Sequence, residues 1–359
     1  MKKTHSLHYL LLAALTFAFV PTLMAGKKDK SLDIYWIDVE GGGATLIVTP
    51  EDESILVDTG NPGVRDPGRI HKVITEAAGL KQLDHMIITH WHGDHFGGAA
   101  ELAAKLPVIH VWDKGVPELT PDNKPNDRRY LLMIRPYKAM QVEQRHTIKA
   151  DTVLPLKQPS FPGAPKLTLR CIAANQVFTR KAPKDAPEAR HDDIRLKKKD
   201  TSDNANSVNL RLDFGPWSFF DGGDTTWNVE GELVSPVNLI GGVDVYQVNH
   251  HGLDASNNPV FVHALEPTIS VMCNGKTKGC GPESFAALKS CPTIQTMYQL
   301  HRNERADSEN NTDRKFIANL HADGCEGHYI KLSTSPDGTR YTVTIPSNGH
   351  QQTYKTKGL

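Results

Sequence analysis

Four potential metal ligands lie within six residues of this chain, and no other feature of the sequence constrains the fold as strongly. Residues 89–95 read Thr-His-Trp-His-Gly-Asp-His and directly follow the apolar run Met86–Ile88, which predicts a strand. Crowding three imidazoles and a carboxylate costs desolvation and mutual repulsion unless a cation is present. The sequence therefore predicts a metal site at the end of this strand, with the ligands His90, His92, Asp94 and His95.

Two later stretches place further ligands after apolar runs. Asp224 comes shortly after Trp217–Phe220, beyond two glycines that let the backbone approach a cation closely. His250 and His251 end the run Val243–Val248 in the same manner. Each stretch alone is also typical of an ordinary turn or a structural histidine pair. Because successive strand ends of one sheet meet at one edge, we expect all three groups to converge there.

Short apolar runs alternate with helical patterns along most of the chain, which predicts a layered α/β architecture. Strands are predicted at residues 32–39, 44–49, 54–57, 207–214, 217–220, 243–248, 268–272, 294–300, 329–333 and 341–345. Helices are predicted around residues 70–77, 97–104, 130–134 and 283–288. Two stretches depart from this rhythm. We interpret residues 113–150 as a cap insertion near the site and residues 176–203 as a charged, solvated loop.

The N-terminus has the layout of a secretory signal peptide. Lys2 and Lys3 precede an apolar run at residues 10–20, and small residues around Ala25 follow. The run is shorter than the roughly 20 residues that a membrane span needs, which favours a cleaved signal over a retained anchor. This interpretation divides the chain into a signal peptide (1–25) and one domain (26–359). It predicts a periplasmic or secreted protein with no membrane span after cleavage.

The overall charge gives no argument for a nucleic-acid or membrane-surface partner. The chain carries 41 basic and 41 acidic side chains, so its formal net charge is zero. An apolar content of 38% is ordinary for a globular protein with a sizeable core.

Cys171 lies in a strand-like apolar run, which predicts a buried thiol. In an oxidising compartment the other four cysteines could form two disulfides.

The order of these motifs resembles that of the metallo-β-lactamase superfamily. Asp58-Thr59-Gly60, the His-x-His-x-Asp-His cluster, Gly223-Asp224 and His250-His251-Gly252 follow one another in the superfamily's order. The stretch Asn249–Ser256 is further similar to the nuclease-like domain of bacterial DNA-uptake competence proteins and to the phosphorylcholine esterases. The resemblance covers about residues 32–300. It implies an αββα sandwich of two mixed sheets, with helices on the outer faces.

The resemblance also implies a role for each motif residue at a two-metal site. His90 and His92 would bind the first metal, and Asp224 would bridge both metals. The second metal would be held by Asp94, His95 and His251. Asp58 would orient the ligand loop from behind the metals. A ligand role for His250 in place of His251 is the alternative.

The sequence departs from the superfamily pattern at one ligand. The superfamily commonly has a third histidine on the first metal, some twenty residues before the bridging aspartate, and residues 201–207 contain none. Asp203 is the nearest candidate replacement, and His191 is the other. Zn²⁺ at both positions is the expected cofactor. With fewer imidazoles, Mn²⁺ or a single-metal enzyme becomes compatible with the sequence.

A two-metal site predicts a hydrolase that uses a metal-bound hydroxide, because paired cations lower the pKa of a shared water towards neutrality. Asp94 would take up the proton, and His250 would donate to the leaving group. His301 is a second candidate donor, although a surface position without a catalytic role is favoured for it. A small-molecule or oligomeric phosphodiester or related phosphoester is the favoured substrate. The alternatives are a lactonase or β-lactamase-like hydrolase of esters or amides, and an exported binding protein that retains the fold without turnover.

Overall fold

The computed structural model of the chain describes residues 26–122, 124, 126–183, 195–305, 309–321 and 323–357. Within these residues, the strands are β1 (Asp33–Trp36), β2 (Thr45–Val48), β3 (Ser54–Val57), β4 (Leu83–Ile88), β5 (Val108–Asp113), β6 (Gln144–Thr147), β7 (Leu167–Ala174), β8 (Val177–Phe178), β9 (Asn209–Phe214), β10 (Trp217–Asp221), β11 (Val245–Gln247), β12 (Ile269–Met272), β13 (Thr296–His301), β14 (Ile317–Asn319), β15 (Ile330–Thr334), β16 (Arg340–Ile345) and β17 (His350–Lys355). The α-helices over the same ranges are α1 (Arg65–Lys72), α2 (Gly93–Phe96), α3 (Ala99–Ala103), α4 (Arg128–Ala139), α5 (Trp227–Val234), α6 (Pro259–Leu265) and α7 (Pro282–Ser290).

The strands form two mixed sheets. The first has the order β17-β16-β15-β1-β2-β3-β4-β5-β6, and the second has the order β14-β13-β12-β11-β10-β9-β7-β8. Strands β3 to β6 run parallel in the first sheet, and β10 to β14 run parallel in the second. Parallel strands bring their carboxyl ends to the same edge. The residues that follow β3, β4, β10 and β11 therefore meet at one rim of the molecule.

Alternation along the strands produces three apolar layers. In β1, Ile34 and Trp36 belong to the core between the two sheets, whereas Tyr35 belongs to a core on the outer face of the first sheet. Residues of α1, α3 and α4 complete that outer core, and residues of α5, α6 and α7 cover the second sheet. The layers are therefore helix, sheet, sheet and helix. The predicted αββα sandwich of two mixed sheets is confirmed.

The two irregular stretches have distinct places in this architecture. The stretch at residues 113–150 contains helix α4, whose Tyr130 packs in the outer core, and it ends in β6 at the edge of the first sheet. Residues 184–194 of the charged stretch, including the candidate ligand His191, lie outside the described residues, as does the predicted signal peptide at residues 1–25. In the part of the chain that is described, no helix has the length and apolar character of a membrane span.

All five cysteines lie among the described residues, and none of them is in a disulfide. Cys171 is buried in β7, as its apolar surroundings predict. The two disulfides considered for the other four cysteines do not form. Cys273, Cys280 and Cys291 are buried at separate positions, and Cys325 is partly exposed in the turn before β15. The sulfur of Cys280, for example, faces the Met272 sulfur at 3.5 Å instead of another cysteine.

Candidate metal centre

Asp58 organises the base of the site. It follows β3 with a φ of 61°, and its carboxylate accepts hydrogen bonds from Thr89 N, Thr89 Oγ1 and His95 Nδ1 at 2.7–2.8 Å. A Cβ atom at Gly43 would lie 2.8 Å from both Asp58 Oδ2 and His95 Nδ1, so only glycine fits against this hydrogen bond. Asp58 therefore lies behind the ligand loop and fixes its geometry, a position consistent with the orienting role that the resemblance implies.

The two imidazoles nearest the centre face each other through their Nε2 atoms. His95 Nε2 and His251 Nε2 are 3.1 Å apart. His95 Nδ1 lies against the Asp58 carboxylate, and His251 Nδ1 lies 3.0 Å from the carbonyl oxygen of Cys273. Both partners are acceptors, so each Nδ1 carries the proton and each neutral ring has a lone pair at Nε2. Two lone pairs at this separation repel unless a proton or a metal ion lies between them.

Two carboxylates complete this arrangement. Asp224 Oδ1 is 3.2 Å from His95 Nε2 and 3.3 Å from His251 Nε2. Asp94 Oδ2 is 3.6 and 3.4 Å from the same two nitrogens and also contacts the ammonium group of Lys278. One ligand atom from each of four residues lies within 4.8 Å of the others. We call Asp94, His95, Asp224 and His251 the ligand cluster. Its nitrogen and oxygen donors fit a transition-metal ion such as zinc.

The charges of the cluster are strongly coupled. Burial raises the pKa of Asp224, but the nearby His251, His95 and His250 lower it by more, and it lies well below its usual range. Burial lowers the pKa of His95, but Asp224, Asp58 and Asp94 raise it by more, so it lies well above the usual range. In the absence of metal, the carboxylates therefore hold a proton where a cation would otherwise bind.

The residues expected at the first metal are less compact. His90 Nε2 is fully buried, has no hydrogen-bond partner among the described residues and lies 3.8 Å from Asp224 Oδ2. Burial, with His95 nearby, keeps the pKa of His90 well below its usual value, so the ring is neutral and can bind a cation. His92 turns its Nε2 towards Asp122, whose Oδ1 lies at 3.0 Å. The structure thus brings His90 to the Asp224 carboxylate and pairs His92 with a residue of the 113–150 stretch.

Asp203 and His250 lie close to this half of the site in different ways. The two oxygens of Asp203 accept hydrogen bonds from Lys114 Nζ at 2.7 Å and from Trp91 N at 2.8 Å. No described hydrogen bond or ion pair joins Asp203 to the histidines, and its carboxylate holds the ligand loop through the backbone nitrogen of Trp91. His250 Nε2 lies 3.6 Å from Asp224 Oδ2, and burial lowers the pKa of His250 to about 4.

His301 is a correction to the sequence analysis, which favoured a surface position. It is buried at the end of β13, and its Nε2 lies 2.9 Å from Asp38 Oδ2. Asp38 Oδ2 also accepts hydrogen bonds from Arg69 at 3.2 Å and from the Cys325 thiol at 3.3 Å. His301 is the last residue of β13, and the Cys325 sulfur lies 3.6 Å from its Nε2. No described contact links His301 to the ligand cluster.

Asp221 gives a test of the electrostatics of the metal-free site. Its Oδ1 accepts a hydrogen bond from Gly223 N, its Oδ2 is buried with no partner among the described residues, and burial raises its pKa to about 7. A carboxyl group whose pKa is raised on folding stabilises the protein below about pH 4, and this contribution is lost as the pH rises towards 7. Relative to Asp221→Asn, the wild type should lose about 2–4 kcal/mol of unfolding free energy between pH 4 and 7.

Urea denaturation of the metal-free protein at several pH values measures this difference. Glu230, whose pKa is also raised by burial to about 7, contributes with the same sign in both proteins and cancels in the comparison. Parallel curves of unfolding free energy against pH for the two proteins would show that Asp221 titrates normally.

Three residues around the site were not predicted from the sequence. Lys278 contacts Asp94, Asp122 contacts His92, and Glu230 accepts hydrogen bonds from Asn249, Asn257 and Asn258 around the His250–His251 turn. The glycine-rich stretch 275–281 follows a predicted strand, so Lys278 could have been found by the same argument from strand ends. Asp122 and Glu230 reach the site only through tertiary packing.

The comparisons with known proteins agree with this geometry. Residues 38–179 match the family model described as Metallo-beta-lactamase superfamily. This match and the αββα architecture agree with the resemblance to the metallo-β-lactamase superfamily that the sequence motifs show. ComE operon protein 3 of Bacillus subtilis is 26% identical over 68% of this chain and 28% of its own length, in agreement with the subgroup resemblance seen in the sequence.

Other similarities are shorter or concern structure alone. A UPF0173 metal-dependent hydrolase of Koribacter versatilis is 35% identical over 26% of this chain and 41% of its own length. The chain thus spans less than half the length of these curated relatives. Among solved structures, a mutant of the CmlA beta-hydroxylase has a TM-score of 0.44 and 15% identity, over 75% of this chain and 52% of that chain.

Proposed function

We propose that this chain is a metal-dependent hydrolase that cleaves a phosphodiester or a related phosphoester. The observation that carries the proposal is the pair of facing Nε2 atoms of His95 and His251, 3.1 Å apart and flanked by Asp94 and Asp224. Because both Nδ1 atoms lie against acceptors, the two Nε2 atoms can face each other only with a proton or a cation beside them, and the flanking carboxylates favour either one. The match of residues 38–179 to the superfamily's family model and the similarity to a protein named as a metal-dependent hydrolase support the same conclusion.

Zinc is the metal we propose, with manganese as the alternative. The ligand cluster would hold one ion, and His90 and His92 would hold another that shares Asp224. When bound, such ions supply Lewis acidity and lower the pKa of a coordinated water. The orphaned, buried Nε2 of His90 supports a second ion on the other side of Asp224.

The protein's own residues would then orient the reacting groups. Asp94, held in its ionised form by His95, His251 and Lys278, is the proposed proton acceptor. His250 is the proposed hydrogen-bond donor to the leaving group. Its Nε2 lies 3.6 Å from Asp224 Oδ2 and accepts a hydrogen bond from Asn204 Nδ2 at 3.2 Å in the metal-free protein, so donation to the leaving group requires a proton on this nitrogen.

A cavity beside the ligand cluster is the proposed position of the substrate. Its volume is about 220 Å³, and its walls include His92 and Asp94 on one side and Arg129, Tyr130 and Met133 on the other. The latter three come from helix α4 in the 113–150 stretch. This wall supports the proposed cap role of that stretch. Arg129 is exposed and offers a guanidinium group to an anionic substrate such as a phosphoester.

A panel of chromogenic substrates tests the proposed function. Purified protein loaded with Zn²⁺ or Mn²⁺ is assayed with a phosphodiester, a phosphomonoester, a lactone and a β-lactam, and we expect the phosphodiester to be cleaved fastest. Cleavage of the lactone or the β-lactam alone would favour the alternative hydrolase classes. The absence of turnover with every metal and substrate would favour a binding protein. Export is proposed from the N-terminus alone, and N-terminal sequencing of the protein recovered outside the cytoplasm tests cleavage after Ala25.

The contact between His92 and Asp122 predicts an effect on metal affinity. A carboxylate that accepts from the distal nitrogen of a metal-binding histidine fixes its tautomer, and its removal typically weakens metal binding by about 10–100-fold. We expect this loss for Asp122→Asn in calorimetric titrations with Zn²⁺. Lys124→Met is the control, because this exposed lysine pairs with Asp122 Oδ2, whereas His92 lies against Oδ1. Equal affinities for Asp122→Asn and the wild type would remove Asp122 from the site.

A further inference from the structure

The loop between β12 and α7 brings a lysine to the ligand cluster. Residues 273–281 of this loop read Cys-Asn-Gly-Lys-Thr-Lys-Gly-Cys-Gly, and the ammonium group of Lys278 contacts Asp94 Oδ2. The same carboxylate oxygen lies 3.4 Å from His251 Nε2 and 3.6 Å from His95 Nε2. A fixed positive charge therefore lies at the edge of the proposed metal site.

The loop holds Lys278 in a defined position. Gly275 N donates a hydrogen bond to the Lys278 carbonyl oxygen at 2.9 Å, and Gly281 N donates to Gly252 O at 2.7 Å, directly after the histidine pair. The aliphatic part of the lysine packs on Gly41, where an added Cβ would lie 3.1 Å from Lys278 Cβ. The side chain is only 34% exposed, which limits the positions that its ammonium group can reach.

The charge balance at Asp94 changes when a metal ion binds. In the metal-free protein, Lys278 pairs with Asp94, and no other described ion pair includes this lysine. A divalent ion on the same carboxylate would stand beside the ammonium group, and the two like charges repel at this range. An anion that contacts both would relieve this repulsion. A phosphoryl oxygen is such an anion, whereas the carbonyl of a neutral lactone is not.

We infer that Lys278 binds a non-bridging oxygen of the substrate's phosphoryl group and selects anionic phosphoesters over neutral esters. This inference rests on the proposed hydrolase function, since it assigns the substrate class of the same site. Lys278 contributes a fixed charge, so arginine at this position would preserve the interaction in part.

Binding of inorganic phosphate to the metal-loaded protein tests the inference. Lys278→Met should weaken phosphate binding by about tenfold or more, the usual range for the loss of one charge-assisted hydrogen bond. Lys278→Arg should remain within about threefold of the wild type. Lys276→Met is the matched control, because this exposed lysine lies in the same loop and no described ion pair involves it.

Metal affinity separates this role from a structural one. Lys278→Met should bind Zn²⁺ as tightly as the wild type or more tightly, because a neighbouring positive charge has been removed. A lysine that merely held the loop would weaken metal and phosphate binding together, and this result would overturn the inference, as would unchanged phosphate binding in Lys278→Met. If Lys278→Met does not fold, as judged by circular dichroism, Lys278→Gln replaces it.

The inference and the proposed function fail in different ways. A protein that binds phosphate through Lys278 but cleaves no ester would contradict hydrolysis and leave the anion site in place. If the wild type cleaves phosphodiesters and the Lys278→Met variant has the same KM and the same inhibition by phosphate, the anion site alone would be contradicted.

Discussion

Asp224→Ala is expected to reduce metal-dependent hydrolysis by more than about 1000-fold and to lower the number of metal ions bound per chain. The Asp224 carboxylate lies between the two halves of the site, with Oδ1 3.2 Å from His95 Nε2 and Oδ2 3.8 Å from His90 Nε2. No other carboxylate among the described residues contacts both histidines. Metal ions supply several kcal/mol of stabilisation in such reactions, and each 1.36 kcal/mol corresponds to a tenfold change in rate.

Initial rates on the preferred substrate of the panel and elemental analysis of the variant measure both effects. Asp213→Ala is the control, because Asp213 belongs to the same β9–β10 hairpin but pairs with Arg211 away from the site. Circular dichroism spectra should be the same for both variants. An Asp224→Ala protein that keeps the wild-type rate and metal content would exclude Asp224 from the metal centre.

Glu230→Ala is expected to lower the free energy of unfolding by about 3–5 kcal/mol. Glu230 is fully buried in α5 and accepts hydrogen bonds from Asn249 Nδ2, Asn257 N and Asn258 N at 2.7–2.8 Å. Each buried donor that loses its partner costs about 1–3 kcal/mol. The three donors flank the His250–His251 turn, in which both histidines have positive φ angles of 52° and 57°. Loss of Glu230 should therefore also weaken metal binding by releasing His251.

Urea denaturation of the metal-free protein measures the stability change, and titration with Zn²⁺ measures the second effect. Glu232→Ala is the matched control, because Glu232 lies on the exposed face of the same helix and should change stability by no more than about 0.5 kcal/mol. Equal stability of the Glu230 and Glu232 variants would show that the three hydrogen bonds contribute little to folding.

The sequence was sufficient to predict the sandwich because the strands of this fold are short, apolar and separated by clear turn residues. The predicted run Trp217–Phe220 corresponds to β10 and the predicted helix 283–288 to α7, with boundaries that differ by one or two residues. The sequences of helices α5 and α6 show no helical pattern of apolar residues. Helix α5 (Trp227–Val234) is buried on nearly every side, so its apolar residues do not form one stripe. Helix α6 (Pro259–Leu265) is only seven residues long.

Polar edge strands were missed for a related reason. Strands β6 (Gln144–Thr147) and β17 (His350–Lys355) lie at the two ends of the first sheet, where few side chains contact the core. Their sequences therefore show no apolar alternation, and only their backbone pairing with β5 and β16 makes them strands.

The ligand cluster could be anticipated because each ligand follows a strand, and the strand ends share one rim. The histidine tautomers could not be predicted. The Nδ1 atom of His251, for example, lies against the carbonyl oxygen of Cys273, a residue far from it in sequence. The same holds for Asp203. Its position in the sequence suggested a metal ligand, whereas the structure pairs it with Lys114 and the Trp91 backbone. Such partners depend on tertiary contacts that no local pattern records.

The central claim is that Asp94, His95, Asp224 and His251 form a binding site for a metal ion. Elemental analysis tests this claim most directly. The protein is purified without chelators and dialysed against buffer that contains trace amounts of metal ions. We expect close to two equivalents of zinc or manganese in the wild type and a loss of at least one equivalent in His95→Ala and His251→Ala. A wild-type protein that binds no metal, or variants that retain the full amount, would contradict it.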